Sequence, residues 1–543
     1  MAKHKWLVLI LLSAALFRFI GLTKAPPALN WDEVSIGYNA YSVLKTGRDE
    51  WGSLLPLSFR AFGEHKLPGM IYASIPGIAI FGLNELGVRV TPAVLGLLAV
   101  YLVFLLAKEL FRDDSLALFS SALMAVSPWA IHFSRAAFEA GLALCLTLLS
   151  LLFLARSRQT PRYLWASMIA AVFSAYTYNS VRLLLPILLL VYLLSGYLRP
   201  VLRHKKTFLA VILTGLLLCL PIFAELANPE GRVRLGTVAL NAHKGFRDGI
   251  AESRGYTTLS SPLPQLIHNK YTHYAYQFSL NYLKTFSTEF LYLTGSSNSQ
   301  RSVQGMGLMY LFELPLLVLG LSKLRRYQGA YSLVLPLLLL SPIPSAITID
   351  APSSLRALSL LPALVLVEAL GISSVVAWLA KHSLARYPLA LFVLWSIGYF
   401  SYQLWYVNPV KYSDAWQYGY KQAVLFAQDH YDRASRIYLT AKYGEPYIFT
   451  LFYTAYDPAR FQAESVDRSV DPTGWVHVNG FDKYHFTNFS GLDEPAEIVS
   501  RNHGELVMIT GFAQLPPDYH RDLSIQAPNW KIMFEGTVQE GRQ

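Results

Sequence analysis

Apolar runs, separated by short loops rich in lysine and arginine, fill the chain from its first residues to about position 406. Runs near the length that carries a helix across a bilayer, roughly 20 residues, fall at 6–22, 86–107, 115–131, 137–155, 162–178, 183–198, 207–226, 304–322, 329–349, 357–380 and 387–406. The pattern predicts a polytopic α-helical membrane protein with about 11 transmembrane helices over residues 1–406. Two shorter stretches, 34–44 and 68–81, are read as helices lying along the membrane, because a span at 68–81 would invert every later loop. After 406 the pattern changes, as charged, aromatic and short apolar stretches alternate. Residues 407–543 are therefore predicted to form a soluble α/β domain, with helices near 415–430 and 496–502 and buried strands at 436–440 and 506–510.

Walking these spans from an inner N-terminus sorts the charges. Lys3, Lys5, Lys108, Arg112, Arg156, Arg158, Arg162, Arg199, Arg203, Lys205, Lys206, Lys323, Arg325, Arg326, Lys381 and Arg386 all fall on the inner side. The short outer loops carry only Arg135, Arg182 and Arg356, each near a helix end. One orientation satisfies the positive-inside bias throughout and puts the C-terminal domain outside the cytoplasm. It leaves a first outer loop, 23–85, and a long one, 227–300, too long for a simple connector.

Composition narrows the class. Of 543 residues, 53% are hydrophobic and 15% charged, which fits a membrane protein. The net charge of +11 does not indicate nucleic acid, because the basic residues are scattered through loops instead of forming a stripe. The only cysteines, Cys145 and Cys219, both lie in apolar runs, so neither a disulfide framework nor a thiolate metal site is available. The N-terminal segment lacks a clear small-residue cleavage site before Pro26-Pro27 and is read as a retained first helix. The C-terminal domain has no glycine-rich phosphate loop and no HExxH-type motif, which favours acceptor positioning over a second chemistry.

The polar clusters gather on the outer side: Trp31-Asp32-Glu33, Glu64-His65-Lys66, His132 to Arg135 with Glu139, Tyr176 to Arg182, and Asp350 to Arg356. Carboxylates near lipid are costly unless they serve a reaction or a cation. Asp32 also fits an ordinary helix N-cap before the run Val34 to Leu44, and each cation fits an interfacial anchor. Their one-sidedness, against the inner bias, favours a site that handles an anionic lipid-linked group.

The run Leu29 to Gly52, opening on Asn30-Trp31-Asp32-Glu33, resembles the first outer loop of polyprenyl-phosphate-sugar-dependent GT-C glycosyltransferases. These include protein O-mannosyltransferases and the bacterial lipid A aminoarabinose transferase. Further similarities follow in chain order: His65-Lys66-Leu67-Pro68, where the family often has Lys-Pro-Pro; Asn84-Glu85 to Arg89; Ser127-Pro128 to Ser134-Arg135; Tyr178 to Arg182; and Leu355-Arg356-Ala357. Gly444-Glu445-Pro446-Tyr447 is similar to bacterial members only.

The resemblance implies transfer of a sugar from a polyprenyl-phosphate donor, in the lipid, to a protein, lipid or glycan acceptor on the extracytoplasmic face. A bacterial inner (plasma) membrane is the implied location, with an endoplasmic reticulum membrane as the other choice. A single inverting displacement needs one base, for which Asp32 is the candidate, with Glu33 orienting it, steering the acceptor or sharing a metal. The departing phosphate needs positive charge. Lys66 and Arg135 are the leading partners for it, with Arg182, Arg356 and His65 behind them. Tyr38, Glu64 and Tyr178 are candidates for contacting the acceptor. No cofactor is required by the sequence; a divalent cation is an open option with no ligand set assigned. A lipid or glycan transporter or flippase is the main alternative, and a non-catalytic assembly partner a third. Neither an internal repeat nor paired broken helices near mid-membrane favours transport.

Overall fold

The computed structural model describes residues 2–63, 65–227, 236–242, 244–471 and 475–541. They divide into two compact units. One comprises Met1–Ile20, Val94–Ser134 and Glu139–Ser401; the other comprises Gly21–Ala93, Arg135–Phe138 and Tyr402–Gln543.

The first unit is built of helices. It holds α1 (Ala2–Phe19) and, among others, helices at Asp114–Val126, Glu139–Ser157, Tyr163–Ala175, Asn179–Leu194, Glu313–Leu324, Gln328–Leu340, Leu361–Lys381 and Arg386–Tyr402. Among the described residues, four helical stretches are long and apolar enough to cross a membrane: Glu85–Phe111, Glu139–Ser157, Gln328–Ala346 and Leu358–Lys381. A fifth results if Lys205–Leu218 and Leu220–Ala227, bent by 40° at their junction, are one broken span. Each of the predicted spans contains a helix, but several of these helices are short. The segment 304–322, for example, becomes helical only at Glu313.

The helices Glu313–Leu324 and Leu361–Lys381 meet backbone to backbone. A Cβ on Gly320 would lie 1.9 Å from the Val367 carbonyl, and one on Gly371 2.0 Å from the Leu316 carbonyl. Small residues at such crossings let van der Waals packing hold apolar helices together where no hydrophobic effect can. Glu313 and Glu368, on these helices, are fully buried.

The second unit is mixed. Its N-terminal part holds α2 (Trp31–Thr46), a short hairpin of β1 (Phe59–Arg60) and β2 (His65–Lys66), α3 (Pro68–Phe81) and the first turns of α4 (Glu85–Phe111). The two apolar stretches read from sequence as short helices are thus α2 and α3. The C-terminal part is a sheet of seven strands: β3 (Arg436–Thr440), β4 (Asp467–Val470), β5 (Val476–Phe481), β6 (Tyr484–Thr487), β7 (Glu505–Gly511), β8 (Leu523–Gln526) and β9 (Ile532–Glu540). Their order is β4-β5-β6-β3-β7-β9-β8.

Strand β3 runs parallel to both neighbours, with Ile437 opposite Tyr484 on β6 and Val507 on β7. It is buried after its first residue, as suits a strand covered on both faces. The remaining pairs are antiparallel. Tyr438, Phe489, Leu506 and Met508 pack with Ile498 and Val499 from the helix Asp493–Arg501 into one core. The helices and strands read from the C-terminal sequence are all present, with ends shifted by a few residues.

Candidate functional site

Asp32 is placed by the start of α2. The helix is capped not by Asp32 but by Asn30, whose side chain accepts the Glu33 N–H at 2.9 Å while the Glu33 carboxylate accepts the Asn30 N–H at 3.3 Å. This reciprocal capping box satisfies two orphan donors and sets the helical register. Asp32 therefore stands in the first turn, not at the cap, with its side chain partly exposed.

Glu33 holds that turn in place. Its carboxylate is fully buried, takes Arg89 Nε at 2.9 Å and Nη2 at 3.0 Å, and accepts the Ala137 N–H at 3.2 Å. Arg89 in turn donates to the carbonyls of Leu22 (3.2 Å), Pro26 (2.7 Å) and Ala28 (2.5 Å). The guanidinium fork meets a carboxylate bidentately and stitches the loop before α2 to α4. The Glu33 carboxylate is thus engaged by Arg89, the Asn30 N–H and the Ala137 N–H, one position from Asp32.

The hairpin supplies the partner of Asp32. β1 and β2 pair antiparallel with Phe59 opposite Lys66 and Arg60 opposite His65. Strand alternation turns Lys66 inward, where it is 2% exposed, and leaves His65 half-buried. Lys66 Nζ donates to Asp32 Oδ1 in a close ion pair and lies 5.7 Å from the centre of the Phe62 ring. A partly exposed carboxylate and an inward-facing ammonium thus meet across 34 residues of chain.

Aromatic side chains enclose this pair's surroundings. The Trp31 ring lies 5.7 Å from Phe62 and 6.1 Å from Trp475, and Phe62 stacks on Trp475. The Trp31 N–H donates to Gln417 Oε1 at 2.8 Å, and Gln417 Nε2 donates to the Tyr443 carbonyl at 2.6 Å. Gly444 presses against Trp31 with φ +134°; a Cβ there would be 2.7 Å from the ring. Glycine tolerates both the conformation and the approach. Trp475 Nε1 donates to Glu445 at 2.6 Å.

The other predicted residues fare differently. Arg135 is in the same unit and buried, donating Nε to the Ala25 carbonyl and Nη2 to the Gly21 carbonyl, each at 2.8 Å. Tyr38 does not open toward an acceptor: it is fully buried, its hydroxyl donates to the Tyr456 carbonyl at 3.0 Å, and burial raises its pKa. Glu64 lies outside the described residues. Tyr178, Arg182 and Arg356 belong to the first unit. Arg182 pairs with Glu225 at 3.0 Å, Arg356 pairs with Asp350, and Tyr178 is buried. Among the described residues no three His, Cys, Asp or Glu side chains come together as a metal site.

Sequence reasoning passed over two groups. Arg89 was visible only as part of a motif; its role depends on a carboxylate 56 positions away. Glu50 is buried beneath α2, with Asn39 Nδ2 donating to its Oε1 at 3.3 Å and its own N–H donating to Asn39 Oδ1 at 3.1 Å. Burial pushes its carboxyl up to about 8. An Asp49-Glu50 pair in a polar loop reads as a solvated turn, so no local signal marks that burial.

Residues 67–224 match the family model described as dolichyl-phosphate-mannose-protein mannosyltransferase. Among solved structures the chain is similar to ArnT from Cupriavidus metallidurans bound to undecaprenyl phosphate, at 15% identity and TM-score 0.55, covering 98% of each chain. The apo state of that protein gives 14% and 0.54, covering 99% of this chain and 98% of that one. The archaeal oligosaccharyltransferase AglB from Archaeoglobus fulgidus, in complex with an inhibitory peptide and a dolichol-phosphate, gives 14% and 0.51, covering 94% of this chain and 69% of that one. No curated protein matches the chain in sequence. Residues 67–224 thus carry the match to that family model, and the chain over nearly its whole length shares the fold of the ArnT and AglB structures.

Proposed function

We propose that this protein is an integral membrane glycosyltransferase. It moves a sugar from a polyprenyl-phosphate donor to an acceptor hydroxyl on the extracytoplasmic face of a membrane, in a bacterium the inner one. The observation that carries this reading is the Asp32–Lys66 pair, which brings a partly exposed carboxylate and an inward-facing ammonium together immediately before the segment that matches the mannosyltransferase family. The ArnT and AglB structures hold undecaprenyl phosphate and dolichol-phosphate, which supports a lipid-phosphate donor here.

In this reading the resting pair is exchanged on donor binding. The donor phosphodiester is a monoanion like the carboxylate, but negative charge grows on it as the bond breaks, and Lys66 turns from Asp32 to that developing charge. Asp32 then accepts the proton of the acceptor hydroxyl as its oxygen attacks the anomeric carbon. The bond from that carbon to the phosphate oxygen breaks, and the polyprenyl phosphate leaves with the electron pair. One base on one face gives inversion. Arg135 keeps the loop Gly21–Ala25 in shape beside this chemistry. Arg182 and Arg356 are paired with Glu225 and Asp350 and, like Lys66, reach a phosphate only by leaving a carboxylate. The one-sided basic loops support about 11 spans with residues 407–543 outside the cytoplasm.

The test is transfer from labelled polyprenyl-phosphate hexose by purified protein in lipid nanodiscs. Asp32→Asn should lower turnover on a hydroxyl acceptor by on the order of a hundredfold or more while donor binding survives. Near-normal turnover by that variant would remove Asp32 from the role. Donor crossing the bilayer without sugar transfer would make the protein a flippase.

A further inference from the structure

The C-terminal sheet holds a cavity of about 430 Å³ beside the Gly444-Glu445 turn, lined by Glu445, Trp475, His477, Asn479, Thr487 and Asn488 together with neighbouring apolar groups. Its size is that of small-molecule sites, roughly 300–1,000 Å³. Nothing in the chemistry of the Asp32–Lys66 pair uses it.

Its lining differs sharply from that of a phosphate site. Among the described residues its lining holds no lysine or arginine and one carboxylate, which disfavours an anionic ligand. Glu445 is 6% exposed. Its Oε1 takes Trp475 Nε1 at 2.6 Å and faces His477 Nδ1 at 3.3 Å. No donor among the described residues reaches Oε2. Oε2 is open to the cavity, where water or a ligand hydroxyl donates to it. Burial raises the pKa of Glu445 accordingly. Around it, Asn479 accepts from Ser469 Oγ at 3.2 Å and donates to Asp467 at 3.4 Å, and Thr487 donates to Glu494 at 3.2 Å, so each keeps part of its capacity for a ligand; Asn488 adds an amide, and Trp475, Phe486 and Pro446 supply apolar wall.

Carboxylate, amides, a hydroxyl and rings in one uncharged-to-acidic pocket fit a ligand with several neighbouring hydroxyls on an apolar ring face. We infer that this cavity binds the acceptor, and that the acceptor is a neutral glycan held through its hydroxyls by Glu445 and Asn479. The inference rests on the transferase reading and names its acceptor class. Trp475 links the pocket to the reaction site, since its indole bonds Glu445 and its ring packs against Trp31, the residue before Asp32. A peptide acceptor is the rival. An extended peptide would pair with the open, fully exposed edge strand β4 and has no need of a cavity.

Saturation-transfer NMR on the full chain in nanodiscs tests this, with maltotriose, mannotriose and N-acetylchitotriose as probes beside a Ser/Thr-containing hexapeptide. At least one trisaccharide should bind and the peptide should not. Glu445→Gln and Asn479→Ala should each weaken that binding by about tenfold, the loss of one buried hydrogen bond to a polar or charged partner. Glu445 also holds Trp475, and Asn479 also bonds Ser469 and Asp467 on the exposed edge strand, so both variants are read on protein whose thermal unfolding matches wild type, with Asn479→Ala as the decisive one. Binding of no trisaccharide, of the peptide alone, or of a trisaccharide undiminished by Asn479→Ala would each overturn the inference. Turnover of Asp32→Asn is scored separately, and Asp32→Asn should bind the trisaccharide like wild type. Loss of the transferase reading and loss of the glycan pocket are therefore separate outcomes.

Discussion

At the scale of single residues, Asp32 and Lys66 are ion-pair partners of each other. If Lys66 serves the leaving phosphate, Lys66→Ala should weaken donor affinity and slow transfer together, because the charge is lost where it is needed most in the transition state. Lys205→Ala, a similar charge loss at an exposed position of the first unit, is the control and should change neither. Equal impairment by both would show that the basic residues act through membrane insertion. Glu50 gives a second prediction. Burial raises its pKa from 4.5 to about 8, so the folded protein holds that proton more tightly than the unfolded chain does. Stability from this group is complete below about 4.5 and is lost as pH rises toward 8. Glu50→Gln should flatten the dependence, raising Tm at pH 8.5 by several degrees while leaving it nearly unchanged at pH 4.5. Thermal unfolding at the two pH values checks this, and a parallel shift at both would remove Glu50 as the titrating group.

At the scale of elements, the start of α2 is fixed from two directions. Asn30 and Glu33 form a capping box that the sequence spells out, since Asn-x-x-Glu before an apolar run is a helix-start pattern. Asp32 competes for the cap on residue preference alone. What decides the register is Arg89, which fixes Glu33 from α4. Both groups are fully buried, so removing one partner strands the other. Arg89→Met should destabilise the protein by roughly 3–5 kcal/mol. It leaves Glu33 uncompensated and removes the donor from the Leu22, Pro26 and Ala28 carbonyls. Glu33→Gln should cost less, because the guanidinium keeps those three carbonyls and the amide still accepts the Ala137 N–H. Thermal unfolding of the two variants measures the order; the reverse order would show that the carboxylate, not the guanidinium, organises this loop.

At the scale of the whole molecule, the distribution of basic loops predicts an odd number of spans, with the N-terminus in the cytoplasm and residues 407–543 outside. Reporter fusions at Gln328 and at the C-terminus should report cytoplasm and exterior respectively; the same side for both would sink that topology. Membrane class, the positions of the helices, the central strands β3 and β7, and Asp32 and Lys66 as candidates were all legible in the chain. Each of these rests on local composition or on periodicity, which neighbouring residues carry by themselves. The gathering of loop 21–93 with residues 135–138 and the C-terminal sheet into one unit was not legible. Nor were the burial of Tyr38 and Glu50, the service of Glu33 to Arg89, or the cavity around Glu445. Those depend on contacts such as Trp31 with Gln417, 386 positions apart. A side chain's charge and size are written in its own position. Whether it meets water, a partner or a cavity is decided by residues far along the chain, which only the folded structure brings to it.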